Sequence, residues 1–198
     1  MSNRKLLLLG LAVAVLSAIT GFVVQKYFFT DRQQQPVTSQ AKRLKPEDML
    51  GKPRPVFELP DLQGRMRSIT EWDNRVVLVN FWATWCPPCK DEIPDLIRLQ
   101  ETYRDKGVQV IGIALQEAEE VHAFAKELGM NYPVLAGEVP VIEVARAYGN
   151  HIGALPYSVV FDAHGIIRFI RPGVVHYQEA EEVITNILAV SGAGPGGN

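Results

Sequence analysis

Cysteine is scarce in this chain: Cys86 and Cys89 are its only two in 198 residues. That number excludes a scaffold stapled by several disulfides, and a bond between residues so close closes only a tiny loop. By the chain-entropy argument such a loop contributes roughly 2 kcal/mol, so stability alone is a weak reason for the pair. A long run of lysine or arginine is also absent. With 20 basic and 22 acidic residues, a formal charge of -2 and a pI near 6.1, the chain has no basic field for nucleic acid. No internal repeat is visible. The four histidines, His122, His151, His164 and His176, are scattered singly, so neither they nor a second cysteine pair offers zinc-ligand spacing. Attachment of a c-type haem needs histidine directly after the second cysteine, and that residue is Lys90.

Apolar length is concentrated near the start. The stretch "LLLLGLAVAVLSAITGFVV", residues 6–24, carries no charge and spans roughly 28 Å as a helix, about a bilayer core. Arg4 and Lys5 precede it, and Tyr27, Phe28 and Phe29 follow at interface depth. A cleaved signal peptide is the rival reading. The run is longer than a usual signal-peptide core and lacks a clean A-x-A site, which favours an anchor. Lys26, Arg32, Lys42, Arg43 and Lys45 outnumber the charges before the run, so charge counting alone does not orient it. A short basic N-terminus ahead of an uncleaved first helix usually stays inside, placing everything from Gln25 onward outside the cytoplasm. The expected layout is a cytoplasmic N-terminus at 1–5, an anchor at 6–24 and a polar tether at 25–46. A folded domain at 47–190 and a Gly-rich disordered tail at 191–198 complete it.

About 145 residues between the ends suffice for one domain with a real core, so no disulfide is needed for folding. "PVFELPD" and "RMRSIT" flank a turn at Gly64 and predict an N-terminal hairpin. "RVVLVNFWA" and "VQVIGIAL" read as strands buried on both faces. "IPDLIRLQETYRDKG", "EAEEVHAFAKELG" and "VPVIEVARAYG" read as helices stopped by glycine, with a short extended "YPVLAG" between the last two. "YSVVFD" and "IIRFIRPG" predict a late antiparallel hairpin, and a helix follows from Tyr177 to Val190. The order βαβα, hairpin, helix predicts an α/β fold with a mixed central sheet flanked by helices.

Within that order "FWATWCPPCKDEIP" places Cys86 where a buried strand passes into a helix. Unpaired N–H groups and the macrodipole at a helix N-terminus favour the thiolate, the nucleophilic form. Pro87 and Pro88 suit the first helical turn, where a missing N–H costs nothing. Cys89, one turn along, is then inside and placed to attack a mixed disulfide formed on an exposed Cys86. An inert structural disulfide remains the bland alternative.

From Pro55 to Val190 the sequence resembles the thioredoxin superfamily. Within it, the sequence resembles the membrane-anchored TlpA/ResA/CcmG group of extracytoplasmic thiol-disulfide oxidoreductases. The most specific stretch is "VLVNFWATWCPPCKDEIP", in which Pro94 matches the proline that kinks the active-site helix. "GALPYSVVFDAHG" is similar to the cis-proline loop, which makes Leu155–Pro156 the expected cis bond facing the disulfide. "IALQEAEEVHAFAKELGMNYPVLAGEVPVIEVARAYG" resembles this group's insertion into the thioredoxin core, with His122 as a helix-surface residue.

The resemblance implies that Cys86 attacks, Cys89 resolves, and Trp85, Leu155 and Pro156 shape the docking surface. Neither cofactor nor metal is implied. Asn80 stands where cytoplasmic thioredoxin has a buried aspartate, and Glu92 occupies the place of a glutamate thought to tune the thiols. Its two readings are proton acceptor for Cys89 and first-turn acid facing the helix dipole. Tyr157-Ser158 replaces the two threonines frequent in relatives and is expected to alter the substrate groove. The resemblance further implies reduction of protein disulfides, apocytochrome c among them, with electrons from a membrane donor of DsbD/CcdA type. The rivals are a peroxide reductase of peroxiredoxin kind, disfavoured by "WCPPC", and a non-catalytic binding module with a structural disulfide.

Overall fold

A computed structural model describes residues 45–191. The expected anchor, most of the tether and the tail lie outside these residues. Among those described, no helix is long and apolar enough to cross a membrane.

The chain alternates strand and helix as its apolar periodicity requires. After a 3-10 turn at Pro46–Met49, β1 (Glu58–Pro60) and β2 (Met66–Ser68) pair antiparallel as a separate two-stranded sheet. The main sheet holds β3 (Val76–Trp82), β4 (Val108–Leu115), β5 (Val134–Gly137), β6 (Tyr157–Phe161) and β7 (Ile167–Pro172), in the spatial order β5-β4-β3-β6-β7. β3, β4 and β5 run parallel, whereas β6 and β7 are antiparallel to their neighbours. The helices are α1 (Pro87–Tyr103), α2 (Ala118–Glu127), α3 (Val139–Ala147) and α4 (Tyr177–Ser191). The expected mixed α/β architecture, with its N-terminal hairpin and inserted helix and strand, is thus present.

β3 is buried along its whole length because both faces are covered. Its period-2 alternation sends Val76, Leu78 and Trp82 into the layer beneath α1, α2 and α4. Val77, Val79 and Phe81 enter the opposite layer, with Val141 and Ala145 of α3 and Ile69 and Trp72 of a 3-10 turn. Each aliphatic side chain so buried contributes about 1.5–3 kcal/mol against its exposed state. Asn80 has the parity of Leu78 and Trp82, so the only amide of β3 faces α1.

The two layers leave little slack where the inserted segment meets the sheet. A Cβ built on Gly112 of β4 would lie 3.0 Å from Trp82 Nε1 and 3.2 Å from Tyr132 Cε2. Gly112→Ala is therefore expected to destabilise the fold by roughly 1–3 kcal/mol, measurable by denaturant unfolding, because two packed rings must give way.

Candidate active site

α1 starts where the sequence changes from strand formers to two prolines. Cys86 is the N-cap, in extended conformation (φ -96°, ψ 104°), and Pro87 and Pro88 occupy the first two helical positions. Their fixed φ fits the helix, and their missing N–H groups are ones that would lack an intrahelical partner there. Further along, Pro94 removes the N–H that would bond the carbonyl of Lys90. The helix ends in a 3-10 turn at Arg104–Lys106 and at Gly107, whose φ of 80° lies in the left-handed region.

Cys86 and Cys89 form a disulfide with Cα atoms 5.3 Å apart. Cys86 keeps 5 % of its surface and Cys89 none. The expectation of an exposed Cys86 is corrected to that extent: as the N-cap of a helix packed on the sheet, its side chain joins the apolar layer under α1. The asymmetry still runs as expected, with Cys86 the one residue of the pair that keeps any solvent-exposed surface. The loop before it is held from β4's end, where Gln116 Oε1 accepts hydrogen bonds from the Thr84 N–H (2.6 Å) and hydroxyl (2.8 Å). Trp85 stands 60 % exposed beside the pair.

The Leu155–Pro156 bond is cis, as the resemblance implied. Leu155 is half-buried and packs against both core layers, including the one that holds the two cysteines. Pro156 is buried, and its carbonyl accepts a hydrogen bond from the Gly173 N–H. Of the three residues expected to shape the docking surface, Trp85 is exposed, Leu155 half-buried and Pro156 buried.

Glu92 lies one turn beyond Cys89 on α1, a spacing that stacks the two side chains on one helix face. Both are fully buried. Glu92 accepts hydrogen bonds from the Asn80 side-chain amide at 2.6 Å and from the Val175 N–H at 2.9 Å. The same Asn80 amide donates to Ser158 Oγ at 3.0 Å. Glu92 is not a first-turn acid: it is the sixth residue of α1, past the first turn, and its carboxylate is bonded inside the protein. Burial pushes its pKa up to about 7 from an ordinary 4.5, the Val175 and Asn80 hydrogen bonds restrain the rise, and Asp95 adds to it.

Tyr157 and Ser158 are core residues, which corrects their expected place in the groove. Tyr157 points into the layer opposite α1 and donates its hydroxyl to the Tyr148 carbonyl, while Ser158 ends the Asn80 chain. Sequence reading missed the Val175 N–H and Gln116, and it placed Ser158 in the groove instead of beside Asn80. Strand parity signals Ser158, paired with Asn80 across β3 and β6, but the other two depend on how distant loops fold back. His122 is on the exposed surface of α2, as expected. Because Asn80 supplies one of two donors to a buried carboxylate, Asn80→Leu should raise the Glu92 proton affinity. It should also lower unfolding free energy at pH 8 by about 1–3 kcal/mol, read from paired titration and denaturation.

A buried acid with a neutral-range pKa, one helical turn from a cysteine pair at a helix N-terminus, is a constellation suited to moving a thiol proton during disulfide exchange. The chain is 30 % identical to thiol-disulfide oxidoreductase ResA of Halalkalibacterium halodurans over 92 % of its own length and 95 % of the relative's. It is 28 % identical to ResA of Geobacillus thermodenitrificans, covering 93 % and 97 % of the two chains. The crystal structure of a thioredoxin-family thiol:disulfide interchange protein from Chlorobium tepidum superposes with a TM-score of 0.63 at 30 % identity. That superposition covers 69 % of this chain and 95 % of the other. A protein-family model described as the AhpC/TSA family matches residues 50–170, a span that holds the hairpin, both cysteines, Glu92 and the cis-proline and ends within β7. The chain accordingly belongs to the AhpC/TSA family, as one of its thioredoxin-like thiol-disulfide oxidoreductases.

Proposed function

We propose that this oxidoreductase is tethered outside the cytoplasm by residues 6–24 and reduces protein disulfides there, the paired cysteines of apocytochrome c among them. The observation that carries the reading is the Cys86–Cys89 disulfide at the N-terminus of α1 with buried Glu92 one turn beyond. In the reduced protein, the Cys86 thiolate attacks one sulfur of the substrate disulfide. A mixed disulfide forms, and the displaced substrate sulfur leaves as a thiolate. Glu92 takes the Cys89 proton, and the Cys89 thiolate attacks the Cys86 sulfur, closing Cys86–Cys89 and releasing the second substrate thiolate. The substrate gains two electrons and the enzyme loses two. A membrane protein of DsbD/CcdA type then returns them. Trp85, Leu155 and Pro156 shape the surface on which the substrate docks.

The uncharged run at 6–24 and the basic pair before it support the tethered, extracytoplasmic placement. The test is reduction of an oxidised Cys-x-x-Cys-His peptide by the dithiol protein. Stoichiometric release of peptide thiols, with a Cys86-linked peptide adduct accumulating in Cys89→Ser, is the expected result. No peptide reduction over the time in which a small disulfide is consumed would overturn the substrate class.

A further inference from the structure

One of the two donors to Glu92 comes from residues 173–176, a short strap that joins β7 to α4. Every second N–H from Gly173 to Tyr177 is bonded to a different partner. Gly173 donates to the Pro156 carbonyl at 2.8 Å, Val175 to Glu92 at 2.9 Å and Tyr177 to Asp95 at 3.0 Å. Two of these partners are acids of α1, three residues apart and so on one face of the helix. Glu92 is fully buried, whereas Asp95 is half-buried, with His176 Nδ1 at 3.8 Å from its Oδ2.

The placement of Asp95 has two physical consequences. Its bond to the Tyr177 N–H pins the end of the strap two residues from Val175 and so steadies a donor to Glu92. Its charge also lies one turn from a carboxyl group that no solvent reaches to screen, where like charges oppose each other's ionisation. The other groups around the two acids do little to offset this. From the sheet, Asn80 and Ser158 are neutral, and Tyr132, in the same buried layer, has its hydroxyl pushed up by burial. On α1, Cys89 is in the disulfide, and Lys90 and Asp91 are exposed. From α4, the Tyr177 hydroxyl donates to Glu181, and its ring lies 4.0 Å from the Arg98 guanidinium. Arg171 bonds the Val174 carbonyl and pairs with Glu179. His176 alone among the described residues pairs with Asp95, and its side chain is mostly exposed, so its charge is screened.

We propose that Asp95 is a positioning residue for disulfide exchange, acting through Glu92 by pinning the strap and by holding a second negative charge one turn from the buried acid. Its role rests on the reading that Glu92 accepts the Cys89 proton. A group that takes a proton from a thiol must keep its affinity for one near neutral pH. Burial supplies most of that affinity, and the Asp95 charge adds to it.

The experiment follows the Glu92 carboxyl carbon by NMR against pH in the full chain, beside rapid-quench measurement of mixed-disulfide resolution. Asp95→Asn keeps an oxygen for the Tyr177 N–H and removes the charge. Its Glu92 titration midpoint should fall by about 0.5 or more, and the midpoint of the resolution profile should fall with it. In a Glu92→Gln protein the same substitution should leave the resolution rate where Glu92→Gln put it, which a merely structural role would not do. Asp95→Ala removes the acceptor as well, so the Val175 amide should exchange its hydrogen about tenfold faster than in wild type or Asp95→Asn. An unmoved Glu92 midpoint in Asp95→Asn would overturn the charge role and leave Glu92 as proton acceptor. Equal Val175 exchange in all three proteins would overturn the pinning. A Glu92 midpoint that falls while the resolution profile stays in place would overturn the acceptor reading of Glu92 and the role of Asp95 with it.

Discussion

Cys86→Ser should lose essentially all exchange activity, with the rate of disulfide reduction falling on the order of a thousandfold or more, since no second nucleophile is available. Cys89 is fully buried and cannot take over the attack. Cys89→Ser should behave differently: the first attack proceeds, and the mixed disulfide on Cys86 persists because nothing resolves it. Mass spectrometry of each variant after mixing with a peptide disulfide separates the two, an adduct being expected for Cys89→Ser alone. An adduct on Cys89 in the Cys86→Ser protein would reverse the assignment of attacking and resolving thiols.

The second large effect belongs to Glu92. If its carboxylate takes the Cys89 proton, Glu92→Ala should slow resolution of the mixed disulfide by about 10²–10⁴-fold near pH 7 while leaving the first attack intact. Rapid-quench measurement of the two phases distinguishes this from general damage, which would slow both. In wild type the resolution rate should rise with pH through about 7, as Glu92 becomes the carboxylate that accepts the proton.

The same shift predicts a stability profile. Because the folded pKa is raised above the ordinary 4.5, the folded state binds the extra proton. Its contribution is fully present below about pH 4.5 and is lost as pH rises through 7. The spacing of those values corresponds to about 3 kcal/mol between the protonated and ionised limits. Glu92→Gln, which cannot ionise, should flatten that part of the curve.

How far the sequence carried depended on whether the signal was local. The β3 run "VVLVNFW" announced a strand buried on both faces, and Pro87-Pro88 after Cys86 announced a helix N-terminus; both are properties of neighbouring residues. Glu92 was ambiguous because its fate turns on a contact with Val175, 83 residues away. Once α4 and its preceding loop close over α1, no solvent remains for a dipole-facing acid. Cys86 looked more exposed from its motif than the packed N-cap allows. Tyr157-Ser158 looked like groove residues because they follow the cis-proline, but β6 is covered on both faces and draws both inward. Ser158 becomes the far end of the Asn80–Glu92 chain, so the replacement of a threonine pair bears on the buried acid instead of on the docking surface.

The direction of electron flow is the centre of the account, and the reduction potential of the Cys86–Cys89 pair at pH 7 tests it most directly. The oxidised pair is packed into an apolar layer, whereas reduction places a thiol and a thiolate there, which favours the disulfide. Equilibration against dithiothreitol and glutathione should give a potential of about -200 mV or lower, in the range of reducing thioredoxin-fold proteins. A value near -120 mV, that of a strong oxidant such as DsbA, would contradict it.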